Sequence, residues 1–315
     1  MSNICPLQTN AHCTVETCPL SCAQVEYLPT LAGNAVYAAA FGLLLIAQIG
    51  LGIRYKTWGF MVGMTCGLVL EIVGYAGRIM LHNNPFDFNN FIIYLIPLTL
   101  GPAFLAGALY LCLSRIIIAH GQQISRFSPR TYAIAFMTSD LISLILQGAG
   151  GGLAATANTR SGGDTGRAIM VAGVVFQVVS LLVFMLLWLE FVFRLRKMSE
   201  GDKGAARFAE LRATKKFAWF QWALGAAVLL VFVRSVYRVV ELQQGFKGPV
   251  ANDEVSFMIL EGPMIFLAVL AMTVLHPGIG FGGQWSSAAW SVKHSRKTAF
   301  EMSSSSMEEI RGHNV

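Results

Sequence analysis

The chain has 315 residues, of which 55% are hydrophobic and 13% are charged, and its mean hydropathy is +0.57. An ordinary soluble domain carries about 25% charged residues, so the composition excludes a water-soluble enzyme and indicates a protein whose apolar residues face lipid. The formal charge of +6 does not point to a nucleic-acid partner, because basic residues that flank membrane helices orient them.

The first 30 residues hold four cysteines and neither Lys nor Arg. They lack the basic stretch and short apolar core of a cleavable signal peptide. An even number of cysteines in an external segment predicts two disulfides, for which three pairings are possible, although free thiols or a metal site remain alternatives. The candidates are Cys5, Cys13, Cys18 and Cys22.

Seven apolar windows are each long enough to cross a hydrocarbon layer, which takes roughly 20 residues. They predict an all-α bundle of seven transmembrane helices. The predicted spans are Leu31–Ile53, Trp58–Leu81, Phe91–Ile118, Thr131–Ala155, Ala168–Phe193, Phe217–Leu242 and Val255–Leu275.

The basic residues alternate between the two ends of this bundle. Seventeen of the 23 Lys and Arg follow spans one, three, five and seven, three follow the others, and three lie inside spans. The positive-inside rule therefore places the N-terminus outside the cell and the C-terminus in the cytosol. We predict an extracellular Cys-rich segment (1–30), a membrane domain (31–275) and a disordered cytosolic tail (276–315) that is rich in Ser and Gly.

Several spans carry ionisable residues, although one such side chain at mid-bilayer costs about 2.5–3.5 kcal/mol. Spacings of i, i+3, i+4 and i+7 place polar residues on one face of a helix. The faces are Glu71, Gly74, Tyr75 and Arg78 on the second span, Asp140, Ser143, Gln147 and Gly151 on the fourth, and Arg234, Tyr237, Arg238 and Glu241 on the sixth; Glu261 lies in the seventh.

We expect these faces to meet in an interior polar cavity that opens toward the outer leaflet. The seven buried charges comprise three arginines and four carboxylates, which leaves one carboxylate over. The deepest two, Glu71 and Asp140, are the candidates for this spare group. The alternative is that the charged pairs only hold the helices together.

Glycine and proline add flexibility to two spans. Gly148 and Gly150–Gly152 follow Gln147 and let a backbone or a ligand approach the fourth helix closely. Pro97 and Pro102 are expected to kink the third helix and to free backbone carbonyls inside the bundle.

Several functions lack their motifs in the sequence. A phosphate-binding loop is absent, so ATP-driven transport by this chain alone is not expected. All six histidines lie outside mid-span positions and divide between the two ends, which argues against a seven-helix zinc hydrolase. The seventh span has no Lys to carry a retinal.

The same residues resemble the fungal RTA-like family of seven-helix membrane proteins, also called lipid-translocating exporters. The likeness runs from about Tyr27 to Gly278, and the seventh span matches least, because Gly262 and Pro263 follow Glu261. It rests on Tyr27 and Pro29, on Glu71, Gly74, Tyr75 and Arg78, on Pro102, Ala103, Tyr110 and Arg115, on Asp140, Gln147 and Gly150–Gly152, and on Arg234, Arg238, Glu241 and Gly245.

The resemblance implies a plasma-membrane protein that moves or senses amphipathic molecules such as sphingoid bases, sterol-like toxic compounds or porphyrins. We predict an exporter without an ATPase, a cofactor, a metal or a catalytic residue, in which Asp140 and Glu71 contact the polar head of the lipid. A receptor or sensor of membrane lipid state is the alternative, and a membrane enzyme is a third interpretation. The predicted binding residues are Glu71, Tyr75, Arg78, Asp140, Gln147, Arg234, Arg238, Glu241 and Glu261.

Overall fold

The computed structural model describes residues 18–20, 23, 25–121, 124–157, 159–197, 208–244 and 248–289. Within them it is helical, without strands. The helices are α1 (Leu31–Tyr55), α2 (Trp58–Asn83), α3 (Phe88–His120), α4 (Pro129–Thr156), α5 (Arg160–Lys197), α6 (Ala209–Ala213), α7 (Lys215–Gln243), α8 (Glu254–Leu260), α9 (Gly262–Val274) and α10 (Pro277–Gly280).

Seven segments are long and apolar enough to cross a membrane, which confirms the predicted seven-helix bundle. Six are single helices, and the seventh, Glu254–Gly280, contains α8, α9 and α10. Polar side chains start several of them: the Asp87 carboxylate accepts from the Asn89 amide before α3, and the Ser128 hydroxyl caps α4. The predicted span begins at Ala168, because residues 160–167 are polar or glycine. These residues are helical in the structure, so α5 begins at Arg160.

The helices form a ring in which each contacts the next. α1 packs on α2, α2 on α3, α3 on α4, α4 on α5, α5 on α7, α7 on α9, and α9 returns to α1. α3 also contacts α7 across the middle and is the most buried span. The outer surface is apolar: Leu43 and Ile46 of α1 are 70% and 71% exposed, as expected for side chains in lipid.

Glycines allow the closest contacts between neighbouring helices. A Cβ at Gly77 of α2 would lie 2.6 Å from the backbone nitrogen of Tyr94 in α3. At Gly150 of α4 a Cβ would overlap the backbone of Met170 in α5, and at Gly166 of α5 it would overlap Ala154. The glycine run of the fourth span therefore admits another backbone, as in small-residue interfaces of membrane helices.

The seventh span breaks at Glu261, where α8 ends and α9 begins. Pro263 cannot donate the backbone hydrogen bond of a continuous helix, and Gly262 has a low helix propensity. A Cβ at Gly262 would lie 2.7 Å from the Tyr75 hydroxyl and 2.9 Å from the Tyr37 ring. The break thus brings the start of α9 against α1 and α2.

The segment before α1 closes the end of the bundle at which α1 begins, which we call the N-terminal end. The Glu26 amide donates to Asn252 Oδ1 at 2.8 Å, and His82 Nδ1 lies 2.7 Å from the Pro29 carbonyl oxygen. Cys18 packs against Ala23 and Phe86. The other candidate disulfide residues, Cys5, Cys13 and Cys22, lie outside the described residues, so the disulfides stay a prediction.

The opposite end, which we call the basic end, contains the connections after α1, α3 and α5 and the segment after α9. Residues 276–289 of the predicted tail pack on the bundle here, because Phe281 and Trp285 are apolar and bury their rings. The Arg115 guanidinium stacks on the Trp285 ring at 3.8 Å and donates to its carbonyl. Residues 290–315 lie outside the described part of the chain.

Candidate functional site

A buried charge cluster connects α7, α9 and α3 in the middle of the bundle. Arg234 of α7 donates from Nη2 to the Glu261 carboxylate and to the Leu98 carbonyl of α3. Arg234 and Glu261 are 2% and 1% exposed, so the ion pair is shielded from both lipid and water. Because Arg234 donates both to Glu261 and to a backbone carbonyl of α3, this ion pair holds three helices together.

Pro102 explains why the Leu98 carbonyl is available to Arg234. Pro102 lies inside α3 and has no backbone N–H, so the carbonyl four residues earlier loses its helical partner. That carbonyl belongs to Leu98, and the Arg234 guanidinium takes the place of the missing donor. The prediction that prolines free carbonyls inside the bundle is thereby confirmed for Pro102.

A second pair lies next to the first, toward the N-terminal end. Arg238 Nη1 donates to Glu241 Oε2 at 2.5 Å within α7, and Arg238 Nη2 donates to Thr99 Oγ1 of α3 at 3.3 Å. The Tyr94 ring of α3 lies 5.8 Å from the Arg238 guanidinium carbon. This pair therefore also ties α7 to α3.

Arg78 of α2 occupies the N-terminal end and has the richest set of partners. Its Nε donates to Asn34 Oδ1 at 2.9 Å, and Nη2 donates to the Tyr27 hydroxyl at 3.0 Å. The guanidinium carbon lies 3.8 Å from the centre of the Phe257 ring, and Glu254 is 3.9 Å away. Burial raises the pKa of Tyr27, so its hydroxyl stays neutral and accepts from Arg78.

Glu71 remains without an ion pair, as the sequence predicted for one of the two deepest carboxylates. It is 1% exposed, and neither of its oxygens makes a hydrogen bond within the described residues. The charges that act on it are those of Arg234, Glu261 and Arg238. The carboxylate lies over Gly101 of α3, where a Cβ would come within 3.0 Å of Oε1.

Tyr75 of α2 is fully buried beside this cluster. Its ring contacts Tyr37 and Phe41 of α1, with centroid distances of 5.3 and 5.6 Å. The Tyr75 hydroxyl has no hydrogen-bond partner in the described part of the chain. It lies against Gly262, at the break between α8 and α9.

Asp140 of α4 lies apart from the cluster. It is 4% exposed, and neither oxygen forms an ion pair or a hydrogen bond of normal geometry with the described residues. The hydroxyl of Tyr110 in α3 faces the carboxylate. The Tyr110 ring packs on Phe184 and Phe136, with centroid distances of 4.5 and 5.5 Å.

Asp140 also lies in the wall of a groove of about 540 Å³ between α2, α3 and α4, where it is the single charged residue among those described. The wall is otherwise apolar except for the Thr138 hydroxyl, and it runs along α3 from Ala103 to Leu111. The groove is open to the lipid side, where the wall residue Leu141 is 56% exposed. The lining residues are Gly59, Val62, Gly63, Ala103, Phe104, Gly107, Ala108, Leu111, Ile134, Met137, Thr138, Asp140, Leu141 and Leu144.

The groove lies in a different place from the cavity that the sequence suggested. We expected the polar faces to share a space that opens toward the outer leaflet. The groove instead lies in the half of the bundle nearer the basic end, because its α2 residues are the first of that helix. None of Glu71, Arg234 or Glu261 lines it.

Gln147 takes a third position. Its side-chain Nε2 donates to Gln177 Oε1 of α5 at 3.0 Å, and the pair is buried. The amide therefore joins α4 to α5. It lies beside Thr99 and Met170 at a small void between α3, α4 and α5.

Sequence reasoning missed several partners that the structure reveals. Asn34 and Thr99 have no charged or amide residue three or four positions away, so no helical spacing marks them. Tyr110 was noted for the family resemblance without a role beside Asp140. Among the described residues, no group of three or more His, Cys, Asp or Glu is arranged to hold a metal.

The chain is similar to known proteins over most of its length. The profile of the family described as RTA1 like protein matches residues 64–284. A sphingoid long-chain base transporter of Saccharomyces cerevisiae, RSB1, is 31% identical over 293 residues, which cover 85% of this chain and 76% of the relative.

Two further yeast proteins are similar at 27% identity. Protein RTM1 matches over 73% of this chain and 73% of its own length. Protoporphyrin uptake protein 1 matches over 66% of this chain and 65% of its own length. No solved structure matches the chain. The match over most of the membrane bundle shows that this seven-helix protein belongs to the RTA1-like family.

Proposed function

We propose that this protein transports long-chain amphiphiles with a cationic head across the membrane, and that sphingoid bases are its substrates. The observation that carries the proposal is the apolar groove between α2, α3 and α4, whose wall includes Asp140, a buried residue without an ion pair among the described residues. The likeness to a sphingoid long-chain base transporter supports the same substrate class.

The groove offers each part of such a molecule a suitable surface. An ammonium head paired with Asp140 forms a charge-assisted hydrogen bond in a medium of low dielectric constant, where such bonds are strong. The alkyl chain lies along Phe104, Leu111 and Leu144 and continues into the surrounding lipid, because the groove is open on that side. A neutral or anionic head gains nothing comparable from this wall.

Glu71 is proposed as the second contact for the head. Glu71 lies over Gly101 and Asp140 faces Tyr110, so both carboxylates lie against α3, about 14 Å apart along the helix, with Glu71 nearer the N-terminal end. A cationic head that leaves Asp140 toward the N-terminal end meets Glu71 next. Tyr75 and Gln147 stay predicted contacts, although Tyr75 lies against Gly262 and Gln147 bonds to Gln177, away from the groove.

The remaining predicted binding residues are assigned a supporting role. Arg78, Arg234, Arg238, Glu241 and Glu261 are committed to one another or to α1 and α3. Their pairs hold the helices that frame the route. For these five of the nine predicted binding residues, the contacts favour the alternative that charged pairs only hold the helices together.

We place the protein in the plasma membrane as part of this proposal, with its basic end in the cytosol, as the distribution of Lys and Arg indicates. In that orientation the groove opens toward the cytosolic leaflet, and transport toward the N-terminal end is export. The protein acts as a transporter rather than as an enzyme or a receptor, and membrane lipids are its partners.

Filling the groove tests this proposal. Gly107 lines it and has open space where a side chain would start. We expect Gly107→Leu to abolish the movement of fluorescently labelled sphingosine across liposomes that contain the purified protein, because the new side chain occupies the space of the alkyl chain. Asp140→Ala removes the carboxylate and is expected to have the same effect.

Gly42→Leu in α1 is the matched control, because Gly42 also has open space around its Cβ position but lies outside the groove. This variant should transport normally. Equal transport by Gly107→Leu and Gly42→Leu would contradict the assignment of the groove. Loss of folded protein in Asp140→Ala alone would instead assign Asp140 to helix association.

A further inference from the structure

An ionised Asp140 carboxylate is energetically unfavourable when the groove is empty. A buried, ionised carboxylate needs a cationic partner or several hydrogen bonds. Asp140 lies eleven residues into α4, which is about 17 Å along a helix that spans about 42 Å. At this depth the hydrocarbon core supplies no water to solvate the charge.

The described residues around Asp140 do not supply the missing charge. α3 contributes the Tyr110 hydroxyl, the titratable group that faces it. α2 contributes Gly59, Val62 and Gly63 to the groove wall, and α4 itself contributes Thr138. α5, which packs on α4, contributes the Phe184 ring that lies on Tyr110. Since none of these is a cation, the group that neutralises Asp140 in the empty groove is a proton.

Resting on the proposed function, we propose that Asp140 carries a proton while the groove is empty and gives it up when a base binds, so that the protein exchanges one proton for one long-chain base. The step balances: the Asp140 carboxyl O–H bond breaks, its proton is released to the aqueous phase on the side from which the base enters, and the carboxylate pairs with the ammonium head. On release of the base, the carboxylate takes a proton from the water on that side.

The exchange keeps the site electrically neutral in both states. The empty site holds a carboxylic acid, and the loaded site holds an ammonium and a carboxylate. Neither state leaves a net charge in the hydrocarbon layer, so the costly uncompensated carboxylate never forms. A proton gradient then drives the base in the opposite direction, and the chain requires no ATP site.

Proton release on binding tests the exchange directly. Sphingosine is titrated into the purified full-length protein in weakly buffered detergent solution that contains a pH indicator. We expect about one proton released per base bound, and an apparent affinity that rises about tenfold per pH unit over the range in which the empty site is protonated. A quaternary trimethylammonium analogue of sphingosine has no proton of its own to lose and should release the same proton.

Asp140→Asn should release no proton with either probe, because an amide does not titrate. The control is Asp164→Asn, which changes an exposed carboxylate 3.7 Å from Arg167 on α5 and should release protons as the unmodified protein does. If Asp140→Asn does not fold, the test is the proton release of the unmodified protein on binding the quaternary analogue.

Two results would overturn the exchange, and they are distinguishable. If the unmodified protein binds both probes with pH-independent affinity and without proton release, the exchange is wrong while base binding stands. If neither probe binds and no base crosses the liposome membrane, the proposed function itself is wrong, and the exchange is lost with it.

Discussion

Two kinds of buried charge are present in this protein, and their surroundings separate them. Arg234 and Arg238 each have a carboxylate partner and an acceptor on α3. Glu71 and Asp140 have no ion pair among the described residues, and their oxygens make no hydrogen bond of normal geometry there, although the Tyr110 hydroxyl faces Asp140. Paired charges of this kind hold helices in place, whereas an unpaired carboxylate in a membrane protein is available to a cation or a proton.

The Arg234–Glu261 pair gives a prediction at this scale. Arg234→Gln leaves Glu261 buried without its cation, and removing one member of a buried pair costs about 3–5 kcal/mol. We expect a large fall in Tm, measured by heating the purified protein in detergent and counting the folded fraction by size-exclusion chromatography. The double variant Arg234→Gln/Glu261→Gln should recover much of the loss, because no uncompensated charge remains.

The control for this prediction is the exposed pair between Arg194 and Glu190 on α5, joined at 2.6 Å. Exposed pairs contribute about 0–1 kcal/mol, so Arg194→Gln should hardly change Tm. A double variant no more stable than Arg234→Gln would show that the loss comes from the freed Leu98 carbonyl instead of from the charge on Glu261.

At the scale of helices, α4 and α5 depend on close backbone contact. Gly150 and Gly152 stand two residues apart on α4 but face different surroundings. A Cβ on Gly150 would overlap the backbone of Met170, while a Cβ on Gly152 would meet nothing within 4 Å. The glycine run therefore combines one position that requires glycine for packing with another that does not.

This difference predicts opposite effects for the same substitution. Gly150→Ala pushes α4 and α5 apart and should destabilise the bundle by about 1–3 kcal/mol, as overpacking does. Gly152→Ala should be neutral or raise the stability by up to about 1 kcal/mol, because alanine is the better helix former. The Tm values of both variants, measured by thermal unfolding in the same detergent, test this prediction. Equal Tm values would contradict the close contact between α4 and α5.

The sequence was sufficient to predict the seven spans, because each is a long apolar window. It also identified Glu71 and Asp140 as the candidates for a spare carboxylate, and both are unpaired in the structure. The helical spacing shows which residues share a face, but not which neighbour that face meets. For this reason it did not show that Asp140 lines a groove from which Glu71 is absent, or that this groove lies toward the basic end.

Other features depended on tertiary packing. The break at Glu261 follows from Gly262 and Pro263, yet glycine and proline are tolerated inside many membrane helices, so their presence did not predict it. The packing of residues 276–289 depends on partners such as Arg115 that are distant in sequence. Local composition, rich in Ser and Gly, pointed instead to a disordered tail.

At the scale of the whole molecule, the orientation in the membrane determines the direction of transport. Seventeen Lys and Arg follow spans one, three, five and seven and so belong to the basic end, whereas three belong to the N-terminal end. We expect an epitope tag after Val315 to be reached by antibody only in permeabilised cells, and a tag before Met1 to be reached in intact cells. The reverse result would place the basic end outside, and because the groove lies in that half, the proposed loading of bases would then occur from the outer leaflet and the protein would act in uptake.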